Sequence, residues 1–170
     1  MISRQRLFTC ALINTPETVR VIRIVNIRNK TNGKAYTHPD NPEYGCMWAP
    51  RPVTRAALFI FLHECSHFTL HLGEECKPRY FREWEAETWA LGQMRAARIP
   101  VPRESLWRAR RRVACHIVRE MTWIYGAEID PRAARFAWGK HWKARLKRVE
   151  EQWQKEGSVH HYFHRDDPYV

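Results

Sequence analysis

Residues 56–71 read AALFIFLHECSHFTLH, and residues 79–90 a little further on read RYFREWEAETWA. Ala56, Leu58, Phe59, Ile60, Phe61 and Leu62 are apolar on nearly every side of a helix, a pattern that predicts a central, buried segment. That segment runs directly into His63-Glu64-Cys65-Ser66-His67. Two histidines four residues apart lie one turn apart on a shared face, so both imidazoles can reach a single Zn2+. Glu64 follows the first histidine and is placed to act as general base in a hydrolysis. A His, Glu, His group in an apolar helix is costly unless it is paired or bound to metal. The plainer reading, a satisfied core histidine with chance neighbours, is the weaker one.

A zinc site of this kind needs a third ligand. His71 is nearest in sequence, but on a continuous helix it stands about 12 Å along the axis from His63. It is better read as finishing the helix or lining the cleft. The following helix offers Glu83-Trp84-Glu85-Ala86-Glu87. Glu83 and Glu87 share a face one turn apart, while Glu85 points roughly opposite. With Glu83 as ligand, Glu87 can hydrogen-bond a zinc-bound histidine and fix its orientation. With Glu85 as ligand, the residue a turn later is Trp89, which cannot accept such a bond. Ala86 and Ala90 flank the same face and are small enough to let two helices approach closely.

HECSHFTLH followed by EWEAETWA resembles the ImmA/IrrE-like metallopeptidases, a gluzincin-type pattern of two histidines and a downstream glutamate. The match covers about residues 56–97. It implies a minimal zincin-like fold and one Zn2+ per chain held by His63, His67 and Glu83, with Glu64 as base. Glu87 falls where such families often carry Asn or Asp, and Cys65-Ser66 replaces the more usual small apolar residue and Gly. Family resemblance also implies a protein substrate, a repressor or other DNA-associated regulatory factor. Tyr80, His71 and His116 are candidates for substrate or oxyanion contacts.

Working outward, Val19 to Ile27 is rich in β-branched residues and predicts a strand. Asn32-Gly33 is a two-residue hairpin signal, with residues 34–37 as the return arm. Tyr44 to Trp48 predicts a further short strand, offered as the edge along which a substrate peptide would lie. After the two helices of the motif, a third is expected over residues 103–125. A fourth is expected from Asp130-Pro131 to about Lys155. The class is therefore α+β: a small N-terminal antiparallel sheet followed by a bundle of about four helices. A single domain is expected over residues 1–157, with a tail at 158–170 that carries His160, His161 and His164.

The chain has 170 residues and a formal net charge of +11. Much of the excess falls on two predicted helices, in Arg108, Arg110, Arg111, Arg112, Lys143, Arg145, Lys147 and Arg148. Arg108, Arg111, Arg112, Lys143 and Arg145 form a candidate docking face for an acidic partner or nucleic acid. Five cysteines without framework spacing argue against a secreted disulfide scaffold. No apolar run approaches bilayer length, so no membrane span is expected and a cytoplasmic location is. The leading function is a zinc endopeptidase acting on a regulatory protein. The alternative is a non-catalytic zincin scaffold that grips nucleic acid or an acidic partner through its basic helices.

Overall fold

The computed structural model describes residues 3–13, 20–26, 33–38, 41–71, 77–124 and 127–156. The turn residue Asn32 and the histidines of the tail lie outside the described residues. Two compact units interleave in sequence: Met1–Cys76 with Glu85–Ser105, and Lys77–Trp84 with Leu106–Val170. The divisions between them fall inside two continuous helices.

The first unit holds α1 (Arg4–Ile13), β1 (Arg20–Asn26), β2 (Lys34–His38), β3 (Asn41–Ala49), α2 (Arg55–Leu70) and most of α3 (Arg79–Ala96). The sheet order is β1-β3-β2, with β3 antiparallel to β2 and parallel to β1. The expected pairing of β1 with β2 through Asn32-Gly33 is therefore corrected. The hairpin is β2–β3, one connection later, with Lys34 opposite Trp48 and Tyr36 opposite Cys46. β3 is consequently the central strand, which also corrects its assignment as an edge.

Period-2 burial along β3 fixes which face meets α2. Gly45, Met47 and Ala49 are buried, whereas Cys46 and Trp48 are half-buried. The Met47 Sδ lies 3.9 Å from Cys65 Sγ on α2. Leu58, Leu62 and Cys65 have no exposed surface, and Phe61 and Phe68 are nearly as deeply buried. The helix is thus wrapped on almost every side, as its composition requires. On α1, Leu7, Cys10 and Ala11 are buried at i, i+3, i+4 spacing, which seats a helix that is not among the elements expected above.

α3 ends at Ala96, and its closing geometry explains why. Arg98 adopts φ 54, Ile99 N–H reaches Met94 O at 2.8 Å and Arg98 N–H reaches Arg95 O at 2.9 Å. This is the Schellman arrangement, completed by the buried apolar pair Met94 and Ile99. Arg6 Nη2 adds a bond to Ala97 O at 2.8 Å, a cation at the negative end of the helix.

The second unit holds the start of α3 and most of α4 (Arg103–Trp123). It continues with α5 (Pro131–Trp138), a 3-10 turn over Gly139–His141, and α6 (Trp142–Glu156). Its core joins Val113, Ile117 and Val118 of α4 to Ala133, Ala134, Ala137 and Trp138 of α5 and to Val149 of α6. The single helix expected from Asp130 to Lys155 is two helices. Gly139 sits at φ +60, a conformation costly for any other residue, and its N–H bonds Arg135 O to close α5. Asp130 caps α5 as expected, accepting from Arg132 N–H at 2.7 Å, with Pro131 at the first turn. The architecture is α+β, with five helices after the sheet among the described residues. None of the described helices is long and apolar enough to cross a membrane.

Candidate metal centre

α2 carries its chemistry in the half farther from its start. Thr54 caps its N-terminus, accepting from Ala57 N–H at 3.1 Å, and His71 closes it through an N–H bond to His67 O at 3.2 Å. Between these caps the helix is regular, so His63 and His67 stand one turn, about 6 Å of rise, apart. His63, Glu64 and Ser66 are buried along with the apolar residues around them.

The two imidazoles converge on one point. His63 Nε2 and His67 Nε2 are 3.2 Å apart, with the rings at 90° to each other. Two nitrogens bound about 2.05 Å from one tetrahedral ion stand about 3.3–3.4 Å from each other. The observed spacing is therefore close to what a shared ion requires. At the far side of the His63 ring, Nδ1 lies 3.5 Å from Glu87 Oε1, and Glu87 has no exposed surface. A carboxylate at Nδ1 favours the proton there and leaves the Nε2 lone pair directed toward His67.

Glu83 stands one turn ahead of Glu87 on the unbroken α3. One ligand atom from each of His63, His67 and Glu83 lies within 4.8 Å of the others. Closing from that spacing to coordination distance requires a movement of roughly 1 Å, within the reach of a glutamate side chain rotating about its stem. Two imidazole nitrogens and one carboxylate oxygen match the donor set of catalytic zinc sites. Ala86 and Ala90 are fully buried on α3, as close helix packing demands.

Glu64 is buried, and its carboxyl meets the backbone just before β2. A Cβ added at Gly33 would fall 2.5 Å from Glu64 Cγ and Oε1 and 2.7 Å from Cδ. Only a residue without a side chain fits there. The sequence reading assigns Gly33 to a turn and misses this contact; its spacing from the motif carried no signal of it. Cys65, although inside the motif, is not a ligand candidate. Burial, and secondarily the Glu64 charge, push its thiol up to about 12, so it stays protonated beside Met47.

The remaining candidates fall in different places. His71 pairs with Glu85, Nδ1 to Oε2 at 3.8 Å. Glu85 is therefore not turned away from α2, as its helical phase suggests; its two-methylene stem brings the carboxylate round the flank of α3. Tyr80 is buried in the core of the second unit. Its hydroxyl accepts from Asp130 N–H at 3.0 Å and donates to Glu128 O at 3.4 Å. Both bonds tie down the chain ahead of α5, so that hydroxyl is engaged in structure instead of facing a substrate. His116 lies within the electrostatic reach of Glu83. Burial is the main cause holding it down to about 4, opposed by Glu83 and assisted by Arg79, Arg119 and Arg112, so its ring is neutral at physiological pH. Among the basic residues, Arg108 and Lys143 are exposed, and Arg111, Arg112 and Arg145 are half-buried. No family model, curated protein or solved structure matches this chain.

Proposed function

We propose that this chain is a zinc-dependent endopeptidase of the ImmA/IrrE-like type, acting in the cytoplasm on a regulatory protein of the repressor class. The observation that carries the proposal is the convergence of His63, His67 and Glu83 on one point, with Glu87 behind the first histidine. His63, His67 and Glu83 would hold the ion. When bound, Zn2+ supplies Lewis-acid polarisation of a scissile carbonyl and makes water more acidic. Glu64 takes the proton from the attacking water on its carboxylate and returns it to the leaving amine nitrogen. Glu87 keeps His63 in the tautomer that presents Nε2.

The sheet supplies a place for an extended peptide. With β3 in the centre, the sheet edge nearest the base among the described residues is that of β2, whose strand begins directly after Gly33. A peptide added there makes backbone hydrogen bonds and starts beside the Glu64 carboxyl. The test is Glu64→Gln. It should retain zinc and lose cleavage of a protein substrate by at least about 100-fold, the scale of a general-base contribution. Undiminished cleavage in that variant removes Glu64 from the mechanism.

A further inference from the structure

The basic residues of α4 and α6 are gathered into two clusters. In α4, Arg108, Arg110, Arg111 and Arg112 fall in the half nearer the N-terminus, and the last turn carries no basic residue. In α6, Lys143, Arg145, Lys147 and Arg148 precede the first acid, Glu150, and Lys155 follows in the last turn. Arg108 and Arg112 are like charges at i, i+4 spacing, whereas Lys147 Nζ reaches Glu151 Oε1 at 3.7 Å. A dense cationic cluster of this kind attracts an anionic partner.

The α4 cluster also presents an exposed aromatic ring, whereas Trp142 of α6 is half-buried against the core of its unit. Trp107 is 43% exposed, and the Arg111 guanidinium lies 5.4 Å from its ring centroid. Trp142 has Lys143 Nζ at 5.5 Å. A cation stacked beside an exposed indole matches a phosphate together with the face of a base. Acidic peptides would use the charge and leave the indole face idle. The four cations of the α4 cluster are arginines, whose planar donors suit phosphate oxygens.

We propose that the N-terminal half of α4, through Trp107, Arg110 and Arg111, is a binding strip for single-stranded nucleic acid. The strip acts independently of the metal centre, so chelator-treated protein should bind equally well. The experiment measures anisotropy of a labelled single-stranded oligonucleotide with the full chain, across a salt series. It compares Arg110→Glu/Arg111→Glu with Arg4→Glu/Arg95→Glu, which changes net charge equally at other helices. Arg110→Gln/Arg111→Gln serves as a milder second variant, and circular dichroism verifies folding in each case. If both arginines meet phosphates, the log–log salt slope falls by about 1.4 in the α4 variants and is unchanged in the control. Trp107→Ala should weaken single-strand binding at least about fivefold, the low end of a base-stacking contribution. Equal losses in the α4 and control variants would overturn the proposal, as would duplex bound as tightly as single strand with Trp107→Ala neutral. Displacement of the oligonucleotide by polyglutamate at matched charge would assign the strip to an acidic protein instead.

Discussion

Replacing Glu87 by Gln probes the site through a residue that does not itself reach the ion. Glu87 has no exposed surface, and its carboxylate stands 3.5 Å from His63 Nδ1. The substitution keeps volume and an acceptor oxygen but removes the charge that holds the histidine proton at Nδ1. Losing such a partner weakens metal binding by about 10–100-fold, or about 1.4–2.7 kcal/mol. Linkage converts this into a thermal signal. At free zinc of 100 times the wild-type Kd, zinc adds about 2.7 kcal/mol of stability, and in the variant only about 0.4–1.4 kcal/mol. For a chain of this size, about 1 kcal/mol moves Tm by roughly 2–4 °C. The zinc-induced rise should therefore shrink from roughly 5–11 °C to roughly 1–6 °C. Competition against a chromophoric chelator gives the affinity directly, and melting with and without zinc gives the linkage. An unchanged affinity, with equal destabilisation in the presence and absence of zinc, would make Glu87 a core residue and nothing more.

Three further outcomes follow from particular contacts. Gly33→Ala places a methyl group against Glu64 and should displace its carboxyl, so zinc stoichiometry should hold while peptide hydrolysis falls steeply; activity equal to wild type would show that the carboxyl has other room. Asp130→Ala removes the α5 cap and should cost about 1 kcal/mol at pH 7, measured by denaturant unfolding. Hydrogen bonds from Arg132 hold the Asp130 carboxyl below its ordinary value, so its contribution is present above the usual carboxylate range and fades as pH falls through the lower folded pKa. The difference between the two proteins should therefore shrink as pH falls below the usual carboxylate range, and a constant difference would contradict the charged cap. Tyr80→Phe deletes the hydroxyl that holds Asp130 and Glu128 and should destabilise by about 1–2 kcal/mol, leaving zinc affinity unaltered.

The parts of the fold legible in the sequence were those governed by local periodicity and caps. Asp130-Pro131 marks a helix start because capping chemistry acts within a few residues. The shared face of Glu83 and Glu87 was readable for the same reason. Sheet pairing was not: β1 chooses β3 over its sequence neighbour β2, and nothing local to Asn32-Gly33 encodes that choice. The break at Gly139 was hidden because a glycine within a helical pattern is often tolerated, and only its positive φ shows that the helix stops. Leu7, Cys10 and Ala11 did carry helical spacing, in a segment too short and too weakly capped for the pattern to stand out. Tyr80 looked like a cleft residue through its closeness in sequence to Glu83. One helical position places its ring instead in a core cluster with Val113 and Ile117.

The convergence of two imidazoles and one carboxylate is tested most directly by the metal content of the purified protein, measured by mass spectrometry of the element alongside protein concentration. Wild type should hold one zinc per chain, Glu83→Ala should retain much less after dialysis, and Glu64→Gln should match wild type. Protein with no zinc after reconstitution, or Glu83→Ala carrying a full equivalent at undiminished affinity, would contradict the assignment of these three side chains to one ion.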